Sequence, residues 1–194
     1  MVFSIIIPSY NQEKYIRYTL ENVFELKRIA GENKIDIEVL LFDSESNEAV
    51  QKVIAEYASR IDVLEIKKDK GQYDAINKGI ERCKGDYWTW VNTDDYIDIE
   101  GFLKTEQILN KNSSIDHIYG DMKYMDGNGK YLATYKCKLL SLDYLVNKAP
   151  GIFQPGSFFK TSFTNKIGLM KDYNCCFDYE YVLRCLKFNA VFYR

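Results

Sequence analysis

The sequence has no excess of basic residues, no long apolar run and no leader-like N-terminus. Its 26 Lys and Arg residues against 28 Asp and Glu residues give a net charge of −2, which excludes the basic footprint of a nucleic-acid-binding protein. No apolar stretch approaches the roughly 20 residues that span a bilayer. Met1 leads almost directly into a strand-like segment, without the charged region or cleavage site of a secretory signal. We therefore expect a cytoplasmic protein with no nucleic-acid partner.

Cysteine, proline and histidine give little pattern. The five cysteines are odd in number and lack C-x-x-C spacing, which favours reduced thiols in a reducing compartment. The three prolines form no linker, so the 194 residues are expected to make one domain large enough to bury roughly 70% of its unfolded surface. The single histidine, His117, lies in an apolar segment, where a packing role is favoured over catalysis.

Aromatic residues are abundant, at 15% of the chain with 16 tyrosines. Two interpretations stand side by side: a surface that stacks on sugars, or a general richness in the residues that AT-rich codons encode. Tyr173 and Tyr179 are the better candidates for such stacking.

Hydrophobic patterning predicts an α/β fold. Apolar, β-branched runs at residues 2–8, 37–42, 63–66 and 86–91 are typical of buried strands, and helical spacing follows each of them. The first helix is predicted to begin at Asn11 or Gln12. Such alternation implies right-handed crossovers and a mostly parallel central sheet flanked by helices.

The second half of the chain is less regular. A turn at residues 126–129 predicts a small β-hairpin between residues 123–125 and 131–135. Further strands are predicted at residues 115–120, 156–160 and 190–193, and helices at residues 141–147 and 178–187. The last strand begins just where the sequence stops, so we expect a C-terminal end that is cut short.

Polar residues follow each predicted strand of the first half. They are PSYN at residues 8–11, DSES at 43–46, KKDKG at 67–71 and NTDD at 92–95. Because ligands bind beyond the carboxyl ends of parallel strands, these segments are expected to form one site.

Asp94 and Asp95 suggest a cation in that site. Adjacent carboxylates repel one another unless a cation is near, and hard oxygen ligands suit Mg²⁺ or Mn²⁺ shared with substrate phosphates. The alternative is a cap for the helix that follows, or a solvated turn. Asp43 has a similar pair of interpretations: a turn-forming residue, or an acceptor for the imino N–H of a base such as uracil.

In order along the chain, these segments resemble the family 2 glycosyltransferases, which have the Rossmann-like, A-type nucleotide-diphospho-sugar transferase fold. The segments that carry the resemblance are FSIIIPSYN (3–11), EVLLFDSESN (38–47), KDKGQYDAINKGI (68–80), GDYWTWVNTDD (85–95), QPGSFFK (154–160), KIG (166–168) and FDYEYVLR (177–184). The resemblance covers nearly the whole chain. It implies a nucleotide-binding half at residues 1–95 and an acceptor-binding half at residues 96–194.

The resemblance implies a donor loop after the first strand. Pro8, Tyr10 and Asp43 would hold the uracil or an equivalent base, and Asn11 is assigned to the same donor-binding site. Glu45 and Glu48 are less typical of the family and leave the identity of the base open.

The resemblance also implies a diphosphate and metal site. Lys70 and Asp74 would approach the ribose or the diphosphate, Asp94 the ribose, and Asp95 a Mn²⁺ or Mg²⁺ ion that bridges the phosphates. One departure is visible, because Asn92 stands where the aspartate-x-aspartate pattern begins with a carboxylate. The amide can still bond a ribose hydroxyl but contributes no charge.

On the acceptor side, Asp178 matches the general base of the family, with Glu180 as the weaker alternative. Asp178 also suits a helix cap, and Arg184 is expected to form a salt bridge on the last helix. The resemblance implies a metal-dependent reaction that transfers a hexose from a nucleoside-diphosphate sugar to a hydroxyl group and inverts the anomeric centre. We expect the nucleotide of the donor to be UDP.

The acceptor is expected to be a carbohydrate or a lipid-linked sugar in bacterial polysaccharide or glycolipid synthesis. The protein would then work in the cytoplasm, at the inner face of the membrane if a segment beyond Arg194 touches lipid. Two other functions compete with this one. A catalytically impaired nucleotide-sugar-binding module remains the alternative, whereas a nucleotidyltransferase is disfavoured because residues 9–12 are not its glycine- and arginine-rich loop.

Overall fold

The computed structural model of the protein describes residues 1–148 and 154–194. Its strands are β1 (Val2–Ser9), β2 (Asp36–Asp43), β3 (Val63–Ile66), β4 (Tyr87–Trp90), β5 (His117–Tyr119), β6 (Met122–Met125), β7 (Tyr131–Tyr135), β8 (Ser157–Lys160) and β9 (Phe192–Tyr193). Its helices are α1 (Ile16–Glu32), α2 (Glu48–Tyr57), α3 (Gln72–Arg82), α4 (Ile99–Lys111), α5 (Leu142–Lys148), α6 (Thr161–Ile167) and α7 (Phe177–Lys187).

A seven-stranded sheet runs through the molecule in the order β3-β2-β1-β4-β8-β5-β9. Strands β3, β2, β1 and β4 are parallel, β8 is antiparallel to both β4 and β5, and β9 is parallel to β5. The sheet confirms the predicted α/β class with a mostly parallel central sheet. Strands β6 and β7 form the predicted hairpin as a separate two-stranded sheet.

Helices cover both faces of the sheet, and alternate side chains of β1 supply the two cores. Phe3, Ile5 and Ile7 pack with α1, α2 and α4 on one face. Ile6 packs on the other face with α3 and with Trp88 of β4. Burial on both faces explains why β1 is a nearly continuous apolar run rather than an alternating one.

Four elements differ from the sequence-based predictions. Strand β5 has only three residues, where the pattern predicts a strand over residues 115–120. Helix α1 begins at Ile16, because Gln12 first closes a turn in which its carbonyl accepts from the N–H groups of Tyr15 and Ile16. Helix α6 was not predicted; it has seven residues and buries only Thr164 and Ile167. The predicted last strand is shorter, at Phe192–Tyr193. No helix within residues 1–148 and 154–194 is long and apolar enough to cross a membrane.

Candidate active site

A large cleft lies at the carboxyl ends of the four parallel strands. Its volume is about 730 Å³, and the segments after β1, β2, β3 and β4 all contribute to its wall. The lining residues are Pro8, Ser9, Tyr10, Gln12, Ser44, Glu45, Lys68, Asp69, Gly71, Gln72, Ala75, Asn92, Thr93 and Asp94. The predicted convergence of these polar segments at one sheet edge is therefore what the structure has.

A second cavity of about 370 Å³ continues from this cleft toward α7. Gly71, Gln72 and Asn92 line both spaces, so the two form one groove. The second cavity also contains Lys70 and Asp178. The groove thus has residues of the first 95 positions along its whole length, and residues between positions 154 and 178 join them at the second cavity.

Asp43 is buried beneath the cleft, with 1% of its surface exposed. Its Oδ2 accepts from the hydroxyls of Ser9 at 2.7 Å and Ser46 at 2.6 Å, and its Oδ1 accepts from the Ser46 N–H at 2.8 Å. Three donors fix the carboxylate, while Oδ1 keeps one acceptor position. Asn47 is the residue that caps α2, so Asp43 shapes the loop rather than capping the helix.

The loop after β1 carries the other residues that the resemblance assigns to the base. Pro8 is buried at the wall of the cleft, and the Tyr10 side chain is 63% exposed beside it. Asn11 has a positive φ of 52° and joins the loops after β1 and β2: its N–H donates to Ser46 Oγ, and its side-chain oxygen accepts from the Asn47 N–H, both at 2.9 Å. Asn11 therefore joins the two loops and is not among the residues that line the cleft.

Asp94 and Asp95 sit at the end of β4 in different surroundings. Asp94 is exposed and lines the cleft, whereas Asp95 is half-buried and accepts from Asn92 Nδ2 at 2.9 Å. Burial, and then the charge of Asp94, raise the pKa of Asp95 to about 6, against the lowering effect of the Asn92 bond. Asp98 caps α4, so the carboxylate pair is not a helix cap.

A chain of amides that sequence reasoning missed holds Asn92. Gln72 donates to Asn92 Oδ1, and Asn92 Nδ2 also lies 3.5 Å from Gln154 Oε1. Gln154 in turn donates to the carbonyl of Trp90. The contact between Asn92 and Gln154 joins residues 62 positions apart, so no local spacing in the sequence reveals it.

Lys70 and Asp74 belong to the turn that starts α3. Lys70 lines the second cavity, and its backbone N–H donates to Asp74 Oδ2 at 3.2 Å. Asp74 Oδ2 also lies 3.8 Å from Lys78 Nζ, so the Asp74 carboxylate connects the turn to the first part of α3. Gly71, at φ 123°, makes the bend that only glycine adopts without strain.

The two carboxylates of the FDYE segment have separate environments. Asp178 lines the second cavity in the first turn of α7, and its Oδ1 accepts from the Tyr179 N–H. Glu180 forms a two-pronged ion pair with Arg184, at 2.8 and 3.0 Å, and Arg184 also donates to the carbonyl of Ile167. This geometry confirms the structural salt bridge expected for Arg184 and leaves Asp178 as the carboxylate that faces the cavity.

The aromatic candidates divide in the same way. Tyr173 is exposed, but the Tyr179 hydroxyl donates to the Leu145 carbonyl at 2.6 Å, which commits that side chain to packing. Tyr73 lines the second cavity and donates to Asp172 at 3.2 Å, a pair that sequence reasoning missed. His117 is buried with its ring stacked on Phe159, and burial lowers its pKa to about 3, as the packing role requires.

Metal ligands in the described part of the chain are few. Residues 1–148 and 154–194 contain no group of three or more His, Cys, Asp or Glu side chains that is able to hold an ion. Asp95, with Asp94 beside it, offers hard carboxylate oxygens, and burial and the charge of Asp94 raise the pKa of Asp95. These residues fit a Mg²⁺ or Mn²⁺ ion whose remaining ligands are phosphate oxygens and water.

Two comparisons of sequence and one of structure place the chain among known proteins. The family model described as glycosyl transferase family 2 matches residues 4–167. A poly(ribitol-phosphate) beta-glucosyltransferase of Bacillus spizizenii is 28% identical over 166 residues, which are 84% of this chain and 25% of that protein.

Solved structures share the fold. The 1–349 fragment of Staphylococcus aureus TarS superposes with a TM-score of 0.73 at 20% identity, over 98% of this chain and 57% of that chain. The complex of the same fragment with UDP-GlcNAc has a TM-score of 0.64 at 19% identity, over 88% of this chain and 49% of that chain. A mannosyltransferase from Pyrobaculum calidifontis, bound to GDP-Man and Mn²⁺, gives 0.61 at 14%, over 88% and 47%. The chain therefore spans a quarter to about half of these proteins.

With most of its length matched by the family model and its sheet shared with these enzymes, the chain belongs to glycosyl transferase family 2 and has the A-type glycosyltransferase fold.

Proposed function

We propose that this chain is the single catalytic domain of a metal-dependent, inverting hexosyltransferase, which moves a sugar from a UDP-linked donor to a hydroxyl group. The observation that carries the proposal is the continuous groove, with Asp94 at one end, Asp178 at the other and Asn92 between them. A donor lying along the groove brings its anomeric carbon to the junction, within reach of an acceptor held near Asp178.

The donor end fits a nucleoside diphosphate. Asp43 has one acceptor position left after its three bonds, and an ionised carboxylate binds a base that presents an imino N–H, such as uracil. Lys70 brings an ammonium group to the groove, and α3 begins there at Gln72, so the positive end of its dipole also favours the diphosphate. The fold shared with TarS, which has been solved in complex with UDP-GlcNAc, supports the choice of UDP.

Asp95 would hold the Mn²⁺ or Mg²⁺ ion, with Asp94 toward the ribose. When bound, the cation would supply Lewis-acid stabilisation of the leaving diphosphate. Asn92 fixes the Asp95 carboxylate by a hydrogen bond without adding charge. The mannosyltransferase from Pyrobaculum calidifontis, solved with GDP-Man and Mn²⁺, supports a cation in this fold.

Asp178 would act as the general base. It accepts the proton of the acceptor hydroxyl while that oxygen attacks the anomeric carbon from the face opposite the diphosphate. Attack from that face inverts the anomeric centre. Among its described lining residues, the second cavity has one carboxylate besides Asp178, that of Asp172, which accepts from Tyr73. Glu180 is occupied by Arg184.

We further propose that the acceptor is a carbohydrate or lipid-linked sugar of a bacterial surface polymer or glycolipid, made at the cytoplasmic side of the membrane. The relative from Bacillus, a poly(ribitol-phosphate) glucosyltransferase by name, supports this class. Peripheral contact with lipid is part of the same proposal.

The test separates donor binding from transfer. UDP with Mn²⁺ at about 100 times its Kd should stabilise the chain by about 2.7 kcal/mol, read as a rise in Tm. The Asp178→Asn variant should show the same Tm rise. It should no longer release UDP from a UDP-sugar donor, whether or not an acceptor is present. Glu180→Gln is the matched control and should keep turnover per folded molecule.

Two results would contradict the proposal. Absence of any Tm rise with UDP, GDP and other nucleoside diphosphates plus metal would refute the donor class. A Tm rise without turnover for any UDP-sugar would favour the alternative, a nucleotide-sugar-binding module in which the amide at Asn92 accompanies lost catalysis.

A further inference from the structure

Two adjacent thiols lie at the end of the groove that contains Asp178, here called the acceptor end, a name that rests on the proposed function; the other end, at Asp94, is the donor end. Cys175 and Cys176 are both exposed, and their sulfur atoms lie 3.8 Å apart. They belong to a short 3₁₀ turn, Asn174–Cys176, that leads directly into α7. Cys175 lines the same cavity as Asp178, three residues further along the chain. The other cysteines are half-buried or buried: Cys83, Cys137 and Cys185.

We propose that Cys175 and Cys176 form a reversible oxidation site, in which a peroxide converts the two thiols into a disulfide that alters the acceptor cavity. Neighbouring residues have Cα atoms only about 3.8 Å apart, below the usual range of about 4.4–6.8 Å for disulfides. Closing the bond therefore requires the backbone of the turn to change, and such exposed, strained disulfides are readily reduced again.

The chemistry balances with hydrogen peroxide as the oxidant. The Cys175 thiolate attacks one peroxide oxygen, the O–O bond breaks, and the departing hydroxide takes up the proton of that thiol to form water. The Cys176 sulfur then attacks the sulfenic sulfur of Cys175, the S–O bond breaks, and the second hydroxide takes the Cys176 proton. Two thiols and one peroxide give one disulfide and two waters, with two electrons passed to the peroxide.

The order of attack follows from the surroundings of Cys176. Its hydrogen bond with Cys175, the charge of that neighbour, burial and the charge of Asp178 all raise the pKa of the Cys176 thiol. A thiol with a raised pKa is the poorer nucleophile toward peroxide. Cys175 lines the open cavity and Cys176 does not, so we assign the first step to Cys175 and the resolving step to Cys176.

The disulfide should affect the acceptor end and spare the donor end. The turn precedes Asp178 directly, and its backbone is tied to Tyr173, whose carbonyl accepts from the Cys176 N–H at 3.0 Å. Small displacements of a catalytic group lower rates strongly. The loops that line the donor cleft come from other elements, after β1, β2, β3 and β4.

The oxidation is read by mass after hydrogen peroxide treatment. Trypsin releases residues 172–184 as one peptide that contains both thiols, since Lys171 precedes it and Arg184 ends it. We expect this peptide to become two hydrogens lighter and to return to its original mass with dithiothreitol. Cys175→Ser and Cys176→Ser should abolish the change, whereas Cys83→Ser, the matched control, should keep it.

Two further measurements test how the disulfide affects the turn and the transfer reaction. Amide hydrogen exchange over residues 172–180 should change on oxidation in the wild type but not in the two serine variants, while the Tm rise with UDP and Mn²⁺ is retained. Transfer, where the proposed function holds, should fall by about tenfold or more and recover with dithiothreitol.

The mass and exchange measurements do not depend on transferase activity, so failure of the proposed function is distinguishable from failure of this inference. A peptide that stays reduced, gains oxygen atoms or links to a second chain would overturn the inference. An intact disulfide with unchanged exchange over residues 172–180 would also overturn it.

Discussion

Replacement of Asp95 by asparagine should stabilise the protein in the absence of metal. Burial and the neighbouring Asp94 raise the pKa of Asp95 from 3.8 to about 6. The folded chain therefore holds the Asp95 proton more tightly than the unfolded chain does. As the pH rises from about 4 to about 6, the folded state loses that advantage, and above pH 6 the full penalty of the buried charge is present.

The penalty has an upper limit set by the pKa difference. One pKa unit corresponds to about 1.4 kcal/mol, so the change from 3.8 to about 6 gives at most about 3 kcal/mol at neutral pH. For a domain of this size, about 1 kcal/mol shifts the Tm by about 2–4 °C, so the largest expected rise in Tm is about 6–12 °C. Asparagine keeps a side-chain oxygen for the bond from Asn92.

The assay is the Tm as a function of pH between 4 and 8, with and without UDP and Mn²⁺. Metal-free Asp95→Asn should exceed the wild type above pH 6 and match it near pH 4, and Asp94→Asn should show a smaller rise. With UDP and Mn²⁺ the order should reverse. Asp36→Asn, an exposed residue at the other end of β2, is the control. Superimposable curves of wild type and Asp95→Asn would refute the reasoning.

Three further substitutions test the packing that positions the groove. Thr164→Val removes the Oγ1 that accepts from both Trp88 Nε1 and the Tyr181 hydroxyl, so unfolding in urea should show a loss of about 2–4 kcal/mol, with Thr164→Ser close to wild type. Gly79→Ala places a Cβ 2.5 Å from Ile6 Cγ2 and should cost about 1–3 kcal/mol, whereas Gly31→Ala, with open space around it, should be neutral or stabilising. Ser46→Ala removes a donor to Asp43 and should weaken UDP binding by about tenfold in titration calorimetry, since a bond to a charged group is worth about 1.5–3 kcal/mol; unchanged affinity would separate Asp43 from the donor site.

Local patterns of the sequence were enough to predict most of the sheet. Strands β1 and β2 are buried on both faces, so continuous apolar runs mark them, and the polar segments that follow lie where parallel strands must bring them together. The pattern was insufficient for α6, because seven residues with two buried side chains make too few turns for a helical period. It also set the start of α1 too early, at residues that form a turn instead.

From the sequence, candidate site residues could be named only where they lie in a short local motif. Asp43, Asp95 and Asp178 each stand in a motif of their own, whereas the support of these residues comes from distant positions. Gln154 reaches Asn92 across 62 residues, and the bond from Ser9 to Asp43 crosses 34. Such contacts leave no periodic trace in one sequence, because folding alone determines which loops become neighbours.

Helix α3 explains how the two ends of the groove keep their spacing. The side chain of its first residue, Gln72, donates a hydrogen bond to Asn92, which lines both cavities of the groove. One and a half turns later, Asn77 forms a reciprocal pair with the backbone of Met170, accepting from its N–H at 2.9 Å and donating to its carbonyl at 2.8 Å. Because Met170 begins the segment that leads to Asp178, helix α3 connects this segment to Asn92 and hence to Asp95. The separation of Asp95 from Asp178 is therefore a property of the scaffold, and motif order alone does not contain it.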